Sequence, residues 1–340
     1  MRPHADPGPE HVVASPFTVE EIFSDVTADS VRLPRRQRGN SPQGLAVTLI
    51  ADYTVRTRAW LPSAAIAALL EEFGVTPGAA KTAVSRLARR GVLERGRRHG
   101  TSSYRLTDPV VAELSIGGAT VATFATGPDL WDGLWTVVVF TMPVGEKSRR
   151  SALRAELRWR GFAPLYDGVW VSPHPLADDA HAALVEATPG AVTAFRARQV
   201  EFASDVTRDP IEAWDLVAIA NEYETFLHRW EPLVPDVRAG DVTGAAAVRA
   251  RTEVMDTYRR FPALDPLLPA AFMPADWPRA RAREVFLAVY DGLAEPARDH
   301  VRSVVARFAY DPQPDLRAHT AAEMAVGATA FGHPGTPDPR

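Results

Sequence analysis

Residues 75–107 read VTPGAAKTAVSRLARRGVLERGRRHGTSSYRLT, a helix followed by a basic hairpin. The Thr76 side chain can accept from the first free backbone donors of a helix, and Pro77 suits its first position. Ala80, Ala83, Val84 and Leu87 recur at i, i+3, i+4 and i+7, which makes one apolar face. Gly91 supplies the stop. Two short runs, Val92-Leu93-Glu94 and Ser103-Tyr104-Arg105-Leu106, then flank a basic tip. From Lys81 to Arg105 there are eight Lys or Arg residues against Glu94 alone. The face opposite the apolar one carries Gly78, Lys81, Thr82, Ser85, Arg86 and Arg89, with Arg90 at the helix end and Arg97, Arg98 and His99 at the hairpin tip. Lys and Arg donate to guanine acceptors or phosphate, and Thr and Ser serve either. These ten residues are the expected contacts to duplex DNA. The plainer alternative is a solvated basic face, with Arg86 paired to Glu71 or Glu72.

Upstream, residues 1–40 are Pro-, His- and Arg-containing and read as a disordered leader, with Arg32, Arg35, Arg36 and Arg38 as a possible phosphate-contacting arm. Pro42–Arg58 has a helical apolar pattern, Trp60-Leu61 an extended break, and AAIAALLEEFG (residues 64–74) a second helix with Ile66, Leu69, Leu70 and Phe73 inward. Helix, helix, three-residue turn, helix and hairpin is the order of a winged helix-turn-helix, here residues 41–108.

The 340 residues carry a net charge of −4, so the basic stretch is a local asymmetry. Residues 35–105 hold 13 Lys/Arg and 4 Asp/Glu, whereas residues 201–240 hold 9 Asp/Glu and 3 Arg. Such segregation suits one surface for a polyanion on an otherwise acidic molecule. The absence of cysteine excludes disulfides, thiolate chemistry and cysteine-based metal sites. No run of 18 apolar residues and no signal-peptide layout is present, so a cytoplasmic protein without a membrane span is expected.

Downstream, a helical connector spans 109–128, with Gly117-Gly118 as either a hinge or a break between two helices. Residues 129–205 then read β-α-β-β-α-β. The strand LWTVVVFTMP (134–143) is followed by a helix over Glu146–Arg160 and a hairpin through Asp167-Gly168. A helix over Asp178–Ala187 and a strand over Ala191–Val200 complete the pattern, which is ferredoxin-like. Residues 206–312 read as all-helical: Ala213–Trp230, Val242–Phe261, a Pro-rich loop from Pro262 to Pro278, and one long helix Ala280–Phe308. Residues 313–340 read as a disordered tail. The fold class expected is α+β.

Three motifs in this order resemble the PaaX-like transcriptional regulators. They are AAKTAVSRLARRGVLERGRRHGTSSYRLT, then WDGLW (131–135) with Gly161-Phe162, Trp170 and Pro173, and finally YRRFPALDPLLPAAFMPADWP (258–278). The chain departs from that family at Gly91-Val92-Leu93, where Gly-Trp-Leu is commoner, and at Ala80-Lys81, where Val-Arg is. Its connector lacks the family's basic-aromatic run. The resemblance implies a homodimeric repressor of a catabolic operon, such as that for phenylacetate, on a palindromic operator. It also implies release by an aryl-acyl coenzyme A thioester such as phenylacetyl-CoA. Tyr258, Arg259, Arg260, Phe272 and Trp277 place cations beside aromatics and are the expected effector contacts, against the plainer reading of core residues around a Pro-ordered loop.

Rival readings are a nucleic-acid enzyme and a ligand-binding or scaffold protein that regulates no gene. The middle segment resembles small CRISPR-associated endonucleases in fold, but its first strand ends Val139-Phe140-Thr141-Met142-Pro143, without the carboxylate that would hold a cation. No phosphate loop or Ser–His–acid grouping appears, and His174 with Asp178 makes a poor metal site. No catalytic residue, metal or cofactor is expected.

Overall fold

The computed structural model describes residues 41–127, 131–176, 184, 191–200, 208–308 and 314–330. The leader (1–40) and the helix expected over Asp178–Ala187, apart from Leu184, lie outside them.

Helix α1 (Pro42–Thr54) begins where Ser41 Oγ accepts from the Gly44 amide at 3.1 Å. A two-residue strand β1 (Leu61–Pro62) and α2 (Ser63–Glu71) follow, and then α3 (Pro77–Arg89), capped by Thr76 Oγ1 on the Ala79 amide. Strands β2 (Leu93–Arg98) and β3 (Thr101–Leu106) form the hairpin, and β1 joins its far edge to give the order β1-β3-β2. Leu61 pairs with Tyr104, so the extended break after α1 is the third strand of this small sheet. Ala80, Ala83, Val84 and Leu87 are all buried on α3, on the periodicity that defined its inner face.

The connector α4 (Asp108–Thr123) is a single uninterrupted helix through Gly117-Gly118. Neither a hinge nor a break occurs there. A Cβ on Gly118 would lie 3.4 Å from Met324 Sδ, so the small residue admits a neighbouring helix. That neighbour, α12 (Ala321–Ala330), lies along α4. Residues 314–330 are therefore built into the fold, which corrects the disordered tail expected from residue 313. The polar, Gly- and Pro-rich composition of the terminus hid this, because the ordering force is a tertiary partner and not helix propensity. Residues 331–340 lie outside the described residues.

The middle segment contains β4 (Trp135–Phe140), α5 (Lys147–Trp159), β5 (Ala163–Tyr166), β6 (Val169–Ser172) and β7 (Val192–Ala197). Its antiparallel sheet runs β5-β6-β4-β7. One face covers a small core that includes Val138, Phe140, Leu153, Leu157, Phe162 and Trp170.

The remaining helices are α6 (Leu216–Trp230), α7 (Val234–Ala239), α8 (Gly244–Tyr258), α9 (Phe261–Leu264), α10 (Arg279–Gly292) and α11 (Ala294–Ala306). The single helix expected over 280–308 is two, joined at Leu293, which the structure buries at 1% exposure. A second hydrophobic core is continuous from Leu45 and Leu87 in the N-terminal helices to Phe286 and Val301 in the C-terminal ones. Across this seam Arg249 donates to the Glu72 carbonyl at 3.2 Å, and His300 Nε2 lies 2.7 Å from Glu72 Oε1. At the C-terminal end of α4, Arg283 donates to the carbonyls of Ala122 and Phe124 at 3.1 and 3.3 Å, where a cation also complements the helix dipole. The chain is mixed helix and sheet, with its two small sheets set apart in sequence.

Candidate nucleic-acid interface

Burial of Ala80, Ala83, Val84 and Leu87 against α1 and α2 turns the opposite face of α3 outward. Gly78, Lys81, Thr82, Ser85, Arg86, Arg89 and Arg90 are all exposed there, and Arg97, Arg98 and His99 are exposed at the hairpin tip. Thr82 Oγ1 is turned back on the Gly78 carbonyl at 2.8 Å, so its hydroxyl must leave that bond to donate elsewhere. Arg86 does not pair with Glu71 or Glu72; Glu72 is engaged by His300 instead. Among the described residues Lys81, Arg86 and Arg89 form no ion pair.

The hairpin is aimed by Trp60. A Cβ on Gly96 would meet the Trp60 ring at 2.8 Å, so only glycine lets the indole lie flat against β2. Two guanidiniums then sit over the same ring, Arg98 at 4.2 Å and Arg105 at 4.6 Å from its centroid, a contact worth about 0.5–1 kcal/mol each at exposed sites. Arg105 also pairs with Glu94 across the strands. The tip turns through His99 and Gly100, whose φ values of 49° and 81° are left-handed, as a two-residue hairpin turn requires. Arg98 is therefore partly committed to the ring, whereas Arg97 projects freely to solvent. Trp60 and Gly96 were missed in the sequence because their partnership joins a loop to a strand more than 30 residues away.

The five residues expected to hold an effector do not converge. Tyr258 is fully buried and stacked on Phe286 at 4.0 Å. Trp277 packs edge-on against Tyr223 at 6.2 Å, and the Nε of Arg260 is buried. Phe272 contacts Trp131 and Trp135 at 4.6 and 5.3 Å, joining the middle domain to the Pro-rich loop. Arg259 pairs with Asp256 and borders a cavity among α1, α4 and α8. The Pro-rich motif instead encloses a buried carboxylate. Asp265 accepts from Tyr223 Oη at 2.7 Å, from Arg279 Nε and Nη2 at 2.7 and 2.8 Å, and from the Leu267 amide at 2.9 Å.

A second buried polar group was also missed. Arg251, fully buried, lies over the Tyr290 ring at 3.7 Å and donates to the carbonyls of Tyr290 and His319. Tyr290 Oη bonds Asp52 Oδ1 at 2.9 Å and lies 3.1 Å from His319 Nε2. Burial pushes the Asp52 carboxyl above the ordinary carboxylate range, because it disfavours the charged form. Burial, reinforced by Arg251, holds His319 down at about 3. The signal in the sequence was one Asp inside the apolar run GLAVTLIADY.

Among the described residues no group of three or more His, Cys, Asp or Glu could hold a metal, and His174 Nε2 is engaged by the Pro266 carbonyl at 2.8 Å. No described helix is long and apolar enough to cross a membrane.

Three family models match in sequence order: the PaaX-like protein over residues 41–110, the PaaX protein central Cas2-like domain over 128–208 and the PaaX-like protein C-terminal domain over 214–303. A curated relative, the transcriptional repressor PaaX of Escherichia coli (strain K12), is 29% identical over 243 residues, covering 70% of this chain and 75% of that one. Among solved structures, the uncharacterized protein Rv0674 from Mycobacterium tuberculosis is 21% identical at a TM-score of 0.48, over 78% of this chain and 97% of the other. With all three domain models matched in order across most of its length, this chain belongs to the PaaX-like family.

Proposed function

We propose that this chain is a DNA-binding transcriptional regulator acting in the cytoplasm and not an enzyme, with α1 to β3 as a winged helix-turn-helix. In this reading α3 enters the major groove with Gly78, Lys81, Thr82, Ser85, Arg86 and Arg89 toward base edges and phosphates. Arg90, Arg97, Arg98 and His99 then reach the flanking backbone. The observation that carries it is the exposed basic face of α3, whose Lys81, Arg86 and Arg89 have no protein partner among the described residues. A merely solvating face would not need a glycine-seated tryptophan to orient a basic hairpin beside it.

The finer reading has domains at 41–108, 129–205 and 206–312. The middle one is ferredoxin-like, supported by its β5-β6-β4-β7 order and by the Cas2-like family model. A homodimer would present two copies of α3 to a palindromic operator. The relative's name supports repression. The resemblance read from the sequence motifs supports control of phenylacetate catabolism and release by phenylacetyl-CoA or another aryl-acyl-CoA thioester.

The test is titration against the intergenic duplex beside its own gene at several salt concentrations. The expected result is a preference of at least about a thousandfold over random duplex. Equal affinity for both would sink the regulator reading. A reporter gene and sedimentation of the complex would then check repression and the dimer.

A further inference from the structure

The cavity bordered by Arg259 lies where α1, the connector α4, the end of α8 and the C-terminal segment meet. It measures about 100 Å³ and is half-open. From the N-terminal unit, α1 contributes Val47, Ala51 and Asp52; from the connector, α4 contributes Leu114, Gly118 and Val121. The far wall is Met255 of α8 and Arg259 at its C-terminal cap, with His319 and Met324 of the C-terminal segment. An apolar cavity of roughly 150 Å³ holds benzene; this one is smaller but open on one side, so it takes the edge of a ring or a short branched chain with the rest of the ligand projecting outward.

Just behind its lining lies an incomplete polar layer. On Asp52 and His319, two lining residues, the buried atoms Oδ2 and Nδ1 have no hydrogen-bond partner among the described residues. The single proton of Tyr290 Oη goes to Asp52 Oδ1, so His319 donates to Tyr290 through Nε2 and its Nδ1 is a bare acceptor. Buried polar atoms left in this way cost about 1–3 kcal/mol each, and in native structures a water or ion is one of the partners that satisfy them. Arg259 supplies donors on the same cavity.

We propose that this cavity is the effector site of the chain. It would take a compact acyl group, apolar in its body and polar at one end, with its oxygen on Arg259 and its polar edge toward Asp52 and His319. The site rests on the effector reading above and gives it a location other than the aromatic residues expected from the sequence. It also has a route to DNA. Helix α1 packs directly on α3, and α4 continues from β3 through Thr107 alone. A ligand wedged between α1, α4 and α8 has different contacts in any arrangement that shifts α1, and that difference is what moves an equilibrium.

The absence of cysteine makes the test clean. Single Ala51→Cys and Leu114→Cys chains, both half-buried positions on the cavity, are labelled with a maleimide, alongside Ser303→Cys on the exposed face of α11. Labelling and operator affinity are followed with phenylacetyl-CoA and, separately, phenylacetate. We expect about fivefold or greater slowing at Ala51→Cys or Leu114→Cys and none at Ser303→Cys, as for a ligand held near five times its Kd. The compound that protects identifies thioester or free acid as the source of the acyl group. Release of DNA without protection at either position overturns the site and leaves the effector reading standing. Protection without release keeps the site and removes its regulatory role. Neither protection nor release overturns both.

Discussion

The two hydrophobic cores of this protein are joined to their surroundings in opposite ways. The larger one ignores the boundary between the N-terminal unit and the C-terminal helices, and buried polar groups cross it: Asp52 of α1, Tyr290 of α10, Arg251 of α8 and His319 beyond α11. The smaller core belongs to the middle segment alone. That segment is held at its rim, by Trp131 and Trp135 against Phe272 and Trp214, by His174 on the Pro266 carbonyl, and by Arg208 on the Leu165 carbonyl at 2.7 Å. A shared core forces its parts to move and unfold together, whereas a rim contact lets two cores keep separate stabilities. The consequence is mechanical. Whatever displaces the C-terminal helices displaces α1 and hence α3, while the middle segment can be perturbed without disturbing the basic face.

The sharpest way to break this contrast is to attack one core at a time. Arg251→Met removes the donors of two buried carbonyls and leaves Asp52 without its compensating charge, and should cost about 3–5 kcal/mol. Urea unfolding should show α3 and the C-terminal helices lost in one transition; two separated transitions would refute a common core. Leu153→Ala, in the middle segment, should cost about 2–5 kcal/mol through the cavity it leaves. Hydrogen exchange should rise within residues 135–197 while operator affinity stays at its original value. Spread of the increase to α3 would show that the rim transmits more than these contacts imply.

A smaller effect sharpens the seam itself. His319 titrates near 3 in the folded chain, against an ordinary histidine near 6.5. Between those values the unfolded chain binds the proton and the folded one does not. Its contribution is therefore fully present above pH 6.5 and lost as the pH falls, by about 1.4 kcal/mol per unit. Asp52, raised by burial, acts in the opposite sense, so His319→Gln isolates the term. From pH 7 to pH 5 the unsubstituted chain should lose roughly 2 kcal/mol more than His319→Gln, read from the shift in urea midpoint. Equal losses would place His319 outside the buried network.

On the surface the effects are smaller again. Arg86→Ala should weaken operator binding about tenfold and lower the log–log salt slope by about 0.9 if it meets a phosphate. Unchanged slope with lost sequence preference would instead make it a base reader. Gly96→Ala drives a Cβ into Trp60 and should cost about 1 kcal/mol of stability, with a several-fold loss of DNA affinity as the hairpin shifts. Full affinity would show that Trp60 does not aim the tip.

The residues of α3 were legible because both of its faces are local. Four apolar side chains at helical spacing specify the inside, and the exposure of Lys81, Ser85 and Arg86 follows from simple rotation about the axis. The middle sheet was legible for the same reason, since the continuous β-branched run of residues 134–143 and the Asp167-Gly168 turn are short-range signals. Gly117-Gly118 misled because a glycine pair inside a helix looks like weakness until Met324 is seen resting on it. Tyr258 and Trp277 misled because aromatics beside arginines describe a binding pocket and a well-packed core equally well, and only burial separates the two.

By itself, then, the sequence determined the type of most segments and which way α3 faces, but not the continuity of α4, the division of residues 280–308 or the helix at 321–330: periodicity, capping residues and turn residues act within a few positions of one another. It also determined the family, through three motifs in order. Which segments share a core was decided only in three dimensions. Asp52, Arg251, Tyr290 and His319 lie up to 267 residues apart in the chain, and no local pattern marks them as partners. Their meeting reflects the cost of leaving a buried polar group unpaired, which is settled when distant helices pack. The cavity beside them arises from that same packing.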